Sequence, residues 1–478
     1  MKLKQYESYK PSGSRWIGEV PSHWPIRKLR SLISARNERH HPEFPLLSVA
    51  RERGVFLRSL TGDDNNHNAI PEDLTNYKVA RKGDLVINKM KAWQGSMGIA
   101  PCDGLVSPAY FVFKFDFPNR AFGEMLVRSK PYVAHFGQAS DGVRIGQWDL
   151  SIPRMREIPI LIPETDEQAK IVEFLLYFNI HIEQLVQKKK RLISLLNEEK
   201  QSIVYNAVTR GFDRDMYFRP SGVEWLGEVP RTWEVRRLRF LVREIGGMTP
   251  SKSEASFWNG NIAWVSPKDM KVEELVVTSQ RISQAALNQT PIQLIEPPVV
   301  LIVVRGMILA RSFPVALTAE PVTINQDMKA LIPQGNLRSD FLSYLLRGLE
   351  KPILHLVQEA GHGTKCLRTE MWRNLQVPFP PSLEEQQDIV NRLKSELTPL
   401  NRKLKIVNRE IDLIREYRTR LIADVVIGKL DVRNVEPDRI KGFEDELESI
   451  SSLDRSDVDD VDDVTLLEET EEPAYADD

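Results

Sequence analysis

The sequence predicts an α+β protein with a pseudo-twofold internal repeat: two globular modules, each followed by a long helix. Three observations carry this expectation. A 22-residue segment recurs without a gap, two long runs carry apolar residues at coiled-coil spacing, and short β-type runs alternate with Gly, Pro and Asn in between.

Residues 11–32, PSGSRWIGEVPSHWPIRKLRSL, return at 220–241 as PSGVEWLGEVPRTWEVRRLRFL, with a constant offset of 209 and 13 of 22 positions identical. Trp16 matches Trp225, Trp24 matches Trp233, and GEVP stands at 18–21 and 227–230. Gly and Pro fix an irregular backbone, and paired tryptophans supply buried area without regular structure. The segment therefore reads as a docking strap, with packing rather than chemistry as its task.

After each strap comes a variable stretch, 25–157 and 234–376. Strands are expected at Asp84–Asn88 and Tyr110–Phe115 in the first, and at Val299–Val304 and Met328–Leu331 in the second. The ends of the two stretches rhyme, GVRIGQWDLSIPRMREIPILIP at 142–163 against GTKCLRTEMWRNLQVPFPP at 363–381, which aligns Arg144 with Lys365. Variable middles inside repeated frames suggest one fold used twice to recognise different things.

The first long helix is expected from Pro163 to about Arg210. Its seam, Ile171, Leu175, Phe178, Ile182, Leu185, Lys189, Leu192, Leu196, Glu199 and Ile203, has eight apolar positions of ten. In the second, Ile389, Leu393, Leu397, Leu400, Leu404, Val407, Ile411, Ile414, Arg418, Leu421 and Val425 give ten of eleven. Thr165–Gln168 and Ser382–Glu385 fit capping boxes, DEQAKIV at 166–172 answers EEQQDIV at 384–390, and Gly211 and Gly428 stand where C-caps belong. Pro399 predicts a kink or a delayed start in the second helix. The resulting division is strap 1–24, module 25–157, helix plus second strap 158–233, module 234–376, distal helix 377–433 and tail 434–478.

The net charge of −2 averages two unlike regions. Residues 436–478 hold 18 acidic and three basic residues, a net of −15, so residues 1–435 carry 62 basic and 49 acidic, a net of +13. The acidic tail is expected to be disordered, and the basic body suits a polyanionic partner such as nucleic acid. Cys102 and Cys366 stand alone and far apart, as reduced cysteines of a cytoplasmic protein would, and eight scattered histidines give no metal spacing. No stretch approaches the ~18 uninterrupted apolar residues of a membrane span, and MKLKQYESYK lacks a signal-peptide core.

The W-x-GEVP-x-x-W strap, the proline-then-EQ helix start and VVIGKLDVR at 425–433 together resemble the specificity subunit of Type I restriction–modification enzymes, over essentially residues 11–433. The resemblance implies two target-recognition domains, each reading one half of a bipartite site in double-stranded DNA. It implies two antiparallel coiled-coil helices that hold the domains apart, dock two methyltransferase subunits and, through these, two restriction/translocation subunits. No cofactor is expected on this chain; S-adenosylmethionine, ATP and Mg belong to the partner subunits. The acidic tail has no counterpart in that pattern. Independently, two similar halves can mimic a dimeric DNA reader. A helix of ~40 residues spans about 60 Å, against about 34 Å for a turn of DNA, so helix length would set the spacer.

Base readers should be Arg, Lys, Asn and Gln on loops of the variable modules. In the first, INKMKAWQGSMG offers Lys89, Lys91, Trp93 and Gln94, and GVRIGQW offers Arg144 and Gln147. In the second the candidates are Arg305 and Arg311, Asn325 and Gln326, and Lys365 with Arg368. Each alone also suits an ordinary loop or ion pair; the set is the stronger signal. KKKR at 188–191 reads first as a solvated helix face and second as a contact to spacer phosphates. Helix pairing and partner docking are assigned to Ile171, Leu175, Phe178, Ile182, Leu185, Leu393, Leu404 and Ile411.

Catalytic alternatives lack their signatures. Glu296-Pro297-Pro298-Val299 lacks both the amide or Asp and the aromatic of an aminomethyltransferase motif, GHGTK at 361–365 is no Walker A loop, and Glu198-Glu199-Lys200 falls in the helix. The chain is expected to be non-catalytic. A pure coiled-coil scaffold is the remaining alternative, and the basic body with duplicated variable modules counts against it.

Overall fold

The computed structural model describes residues 3–58, 73–142, 148–213 and 215–435. Arg144, Gln147 and the acidic segment from 436 lie outside the described residues. The chain divides into two compact units, one running up to Lys190 and resuming at Asn408, the other from Arg191 to Val407. Each unit thus holds one strap, one module and part of both long helices.

The strap is a small hairpin in both copies. Tyr9–Pro11 pairs antiparallel with Glu19–Pro21, and Phe218–Pro220 pairs with Glu228–Pro230 in the same register. Trp24 and Trp233 are fully buried. Their expected companions are not, since Trp16 is 44% exposed and Trp225 half-buried. Each sits in the hairpin turn, where the next residue, Ile17 or Leu226, takes the buried place.

Each buried tryptophan covers the C-terminus of a long helix. In the first unit a Cβ on Gly428 would fall 2.4 Å from Pro21 Cδ and 3.0 Å from the Trp24 ring. In the second, a Cβ on Gly211 would lie 3.5 Å from the Trp233 ring. Both glycines have the left-handed φ expected of C-caps, +79° and +73°.

The modules repeat in three dimensions what they do not repeat in sequence. In the first, the sheet order is Ile33–Ala35, Tyr110–Phe115, Leu85–Asn88, Met97–Ile99. In the second it is Val242–Gly246, Met328–Pro333, Val300–Val303, Val315–Thr318, then Glu274–Leu275. All four expected strands form, and each expected pair lies side by side, Tyr110 opposite Asn88 and Val300 opposite Leu331. The rest also corresponds: helices Arg120–Val127 and Ser339–Gly348, short hairpins 140–150 and 358–366, then a last strand that returns to the strap. Pro159–Leu161 pairs with Ile26–Lys28, and Gln376–Phe379 with Glu234–Arg237.

The central helix is Thr165–Arg210 and the distal helix Leu383–Val426. In the first unit Arg418 Nε donates to Asn179 Oδ1 at 2.8 Å and Lys189 Nζ to Glu410 Oε2 at 2.6 Å, so one number falls as the other rises. In the second unit Lys200 meets Asn401 at 2.9 Å and Arg392 covers Phe212 at 4.6 Å. The helices are antiparallel in both. Ile171, Leu175, Phe178, Ile182, Leu185, Leu393 and Ile411 are buried, and Leu404 is half-buried.

Two seam positions depart from expectation. Leu192 is 43% exposed and Glu199 is exposed, while Val186, Val204 and Val208, outside the expected seam, are buried. A helix with 3.6 residues per turn drifts ~20° per heptad from a strict seven-residue repeat. Pro399 neither delays nor ends the distal helix, although Ser395 loses its helical donor there.

The helix starts also differ from the expected capping boxes. Thr165 already lies inside the helix, and the Gln168 N–H donates to the carbonyl of Glu164. In the second copy Ser382 Oγ accepts from the Glu385 N–H at 3.3 Å, but the Glu385 carboxylate takes the Trp233 indole N–H at 2.7 Å. The glutamines next door do the same work in both copies. Gln168 Nε2 donates to Pro163 O at 2.6 Å while its Oε1 accepts from the Asn119 N–H at 3.1 Å. Gln386 Nε2 donates to Pro380 O at 2.8 Å and Asn336 O at 2.7 Å, and its Oε1 accepts from the Arg338 N–H at 2.9 Å. Asn119 and Arg338 are the N-caps of the corresponding module helices. A buried amide thus ties each module to its long helix.

Candidate DNA interface

In the first module, strand Leu85–Asn88 leads into a tight connection and a 3-10 turn, Ala92–Gln94, before Met97–Ile99 returns. Asn88 Oδ1 holds the connection, accepting the N–H groups of Met90 at 3.1 Å and Lys91 at 3.2 Å. Lys89 pairs with Asp149 at 2.8 Å, and its carbonyl accepts the Leu150 N–H at 3.0 Å. The Trp93 ring lies 5.2 Å from Trp148 and donates its indole N–H to Met90 O at 3.1 Å. Lys91 is exposed and Gln94 half-buried. The four candidates of this loop are therefore brought together, against the strand that follows residues 143–147.

In the second module, strand Val300–Val303 leads to Arg305, Gly306 and the 3-10 turn Met307–Ala310. Arg305 bridges Cys366, the Gly306 N–H donates to Lys365 O at 2.9 Å, and the Leu367 N–H donates to Val304 O at 2.8 Å. The Val304 and Arg305 N–H groups also reach Asp327 O, at 2.9 Å and 3.2 Å. Arg305, Gln326 and Lys365 are thereby gathered around one connection. Arg305, Arg311 and Arg368 are exposed; Lys365 pairs with Glu359 at 2.9 Å.

Asn325 occupies a different environment from the exposed loop expected for it. It is 6% exposed, and its Oδ1 accepts the Asp327 N–H at 3.0 Å. Its neighbour Gln326 is exposed and takes the Thr249 hydroxyl on its side-chain oxygen. Asn325 shapes the turn that presents Gln326.

Strand pairing revises one sequence alignment. Asp141 faces Asp149 in the first module, and Glu359 faces Lys365 in the second. Lys365 therefore takes the place of Asp149, not of Arg144. Seven residues separate Asp141 from Asp149 and five separate Glu359 from Lys365, a difference that a gapless rhyme of sequence could not show.

Burial lowers the pKa of Lys78, and the like charges of Arg39 and Lys89 lower it further; its ammonium donates to Tyr110 O at 2.6 Å. Elsewhere the module neutralises itself: Arg81 bonds Asp103 at 2.8 Å and Glu38, and Arg36 bonds Asp84. In KKKR, Lys188, Lys190 and Arg191 are exposed, but Lys189 is spent on Glu410 between the helices.

Sequence reasoning passed over Trp148, Asp149, Thr249 and Asp327, which hold the candidate loops in place. Trp148 lay within a motif already singled out; Thr249 and Asp327 carried no local signal. Among the described residues no cluster of three or more His, Cys, Asp or Glu is placed to hold a metal, and no helix is long and apolar enough to cross a membrane.

Comparison with known proteins agrees with this geometry. The family described as "Type I restriction modification DNA specificity domain" matches residues 230–411. The chain is 30% identical over 282 residues to the type I restriction enzyme EcoR124I/EcoR124II specificity subunit of Escherichia coli, covering 57% of this chain and 63% of that one. It is 27% identical over 173 residues to the type I restriction enzyme MjaIX specificity subunit of Methanocaldococcus jannaschii, covering 35% and 38%. Both alignments span less than two thirds of the relative. A chain solved in work on complex assembly and conformational transition of the type I restriction–modification system superposes with a TM-score of 0.61 at 17% identity, over 86% of this chain and 99% of that one. That likeness covers the fold of both units. Residues 230–411 match that DNA specificity domain, and the chain is similar to type I restriction–modification specificity subunits.

Proposed function

We propose that this chain is the non-catalytic, sequence-specific DNA-binding subunit of a type I restriction–modification complex, reading a bipartite target with one half-site per module. The supporting observation is the duplicated loop. Both modules follow the same strand with a connection pinned to the C-terminal hairpin, and each presents cations there. The framework is shared while the side chains differ, as two readers of different sequences require. Lys89, Lys91, Trp93, Gln94, Arg144 and Gln147 serve one half-site, and Arg305, Arg311, Gln326, Lys365 and Arg368 the other.

The long helices set the spacer and dock two methyltransferase subunits, through which two restriction/translocation subunits join. S-adenosylmethionine, ATP and Mg work in those partners, and the complex acts on DNA in the cytoplasm. Fluorescence anisotropy with a random duplex at rising salt tests the DNA-binding claim. A DNA reader shows affinity falling steeply as a power of salt concentration; a scaffold shows no salt-sensitive binding, and that result overturns the proposal.

A further inference from the structure

We propose that Met90 and Met307 are apolar base-contact residues, each touching the 5-methyl group of a thymine in the half-site its module reads. This rests on the DNA-reading function proposed above. The modules share little sequence, yet each exposes a methionine in the corresponding connection of its sheet. Met90 lies between strand Leu85–Asn88 and the 3-10 turn that follows, and is 44% exposed. Met307 opens the corresponding turn after strand Val300–Val303, and is 63% exposed.

Neither side chain is carried by a slack loop. The Met90 N–H is held by Asn88 Oδ1 at 3.1 Å and its carbonyl by the Trp93 indole at 3.1 Å. Beside Met307, the Gly306 N–H is held by Lys365 O at 2.9 Å and its carbonyl by the Leu309 N–H at 3.2 Å. Gly306 has φ +138°, a conformation open to glycine, which turns the chain so that Met307 stands outward.

Cations neighbour both methionines in sequence, Lys89 and Lys91 on either side of Met90 and Arg305 two residues before Met307. Such cations can track phosphates while the apolar tip meets the bases. The thymine methyl is the one apolar group among the base edges of the major groove. A single exposed apolar residue needs no explanation. Two in the corresponding connections of both modules, on pinned loops beside basic residues, do.

The test uses the chain assembled with its methyltransferase subunits and a duplex carrying the target identified by methylome sequencing. Met307→Ala is expected to weaken target binding about fivefold, the scale of one lost base contact. Its affinity for a random duplex and its salt slope stay unchanged, because methionine brings no charge. Replacing thymine by uracil, one position at a time in that half-site, should weaken the wild-type complex at one position by a similar factor and leave Met307→Ala indifferent there. Met90→Ala should behave likewise for the other half-site alone. Equal losses on target and random duplex, uracil effects that persist in the alanine variants, or a half-site without thymine would overturn the inference. A wild-type complex with no preference for the target over random duplex would instead overturn the proposed function itself.

Discussion

Replacing Gln386 by methionine isolates the link between the second module and the distal helix. The side chain is fully buried, and methionine keeps its length and volume, so the change removes hydrogen bonds without opening a cavity. Three backbone groups, the carbonyls of Pro380 and Asn336 and the N–H of Arg338, lose a partner. A buried group left unpaired costs about 1–3 kcal/mol. With some access of water, the sum is about 3–6 kcal/mol, a large share of the ~5–15 kcal/mol that holds a typical domain. The neighbouring Gln387 bonds only Asn391 within the helix, at 2.9 Å, so Gln387→Met should stay within about 0.5 kcal/mol of wild type. Denaturant unfolding followed by tryptophan fluorescence reads both, since Trp233 and Trp372 are buried in the same unit. Equal stability of the two variants would refute the assignment of Gln386 as the tie.

Other outcomes follow from single sites. Gly428→Ala should cost about 2–4 kcal/mol, because a left-handed φ costs alanine ~1 kcal/mol and its Cβ would meet Pro21 and Trp24. Gly222→Ala has the same φ strain with nothing within 4 Å, and should cost only the smaller part; urea unfolding compares them. Leu393→Asn places an amide in a fully buried seam and should cost about 3–5 kcal/mol, with less at half-buried Leu404. Capture of the methyltransferase subunits in a pull-down should fall in the order Leu393, Ile411, Leu404; unchanged capture contradicts the pairing role. Burial pushes the Glu273 carboxyl up, but Arg347 at 3.0 Å and Lys200 at 2.6 Å outweigh it and hold its pKa below the usual value. A depressed carboxylate contributes stability above its unfolded pKa and loses it as pH falls through the folded one. The stability gap between wild type and Glu273→Gln should therefore be full at neutral pH and shrink in acid, measured by denaturant midpoints across pH.

Much of the frame was legible because repetition and periodicity are local signals. The straps, both helices, the C-cap glycines and the four strands needed only spacing and residue type. What was not legible depended on distant partners. Nothing near Gln168 or Gln386 says that its amide will reach a module helix N-cap, so a capping box was the natural reading of the same letters. The drift of the central seam past Leu192 reflects a helix that keeps 3.6 residues per turn. At the candidate interface, loop positions were found from charge and glycine. Asn325 looked like its neighbour Gln326 until the fold placed one in the core and the other in solvent. The match of Lys365 to Asp149 likewise required strand register.

The central claim is that each module reads its own half of the DNA target. Exchanging residues 25–157 for the corresponding module of a similar specificity subunit, then sequencing the methylome of cells expressing the full system, tests it directly. One half-site is expected to change while the other half-site stays the same. A change in both halves, or in neither, would contradict it.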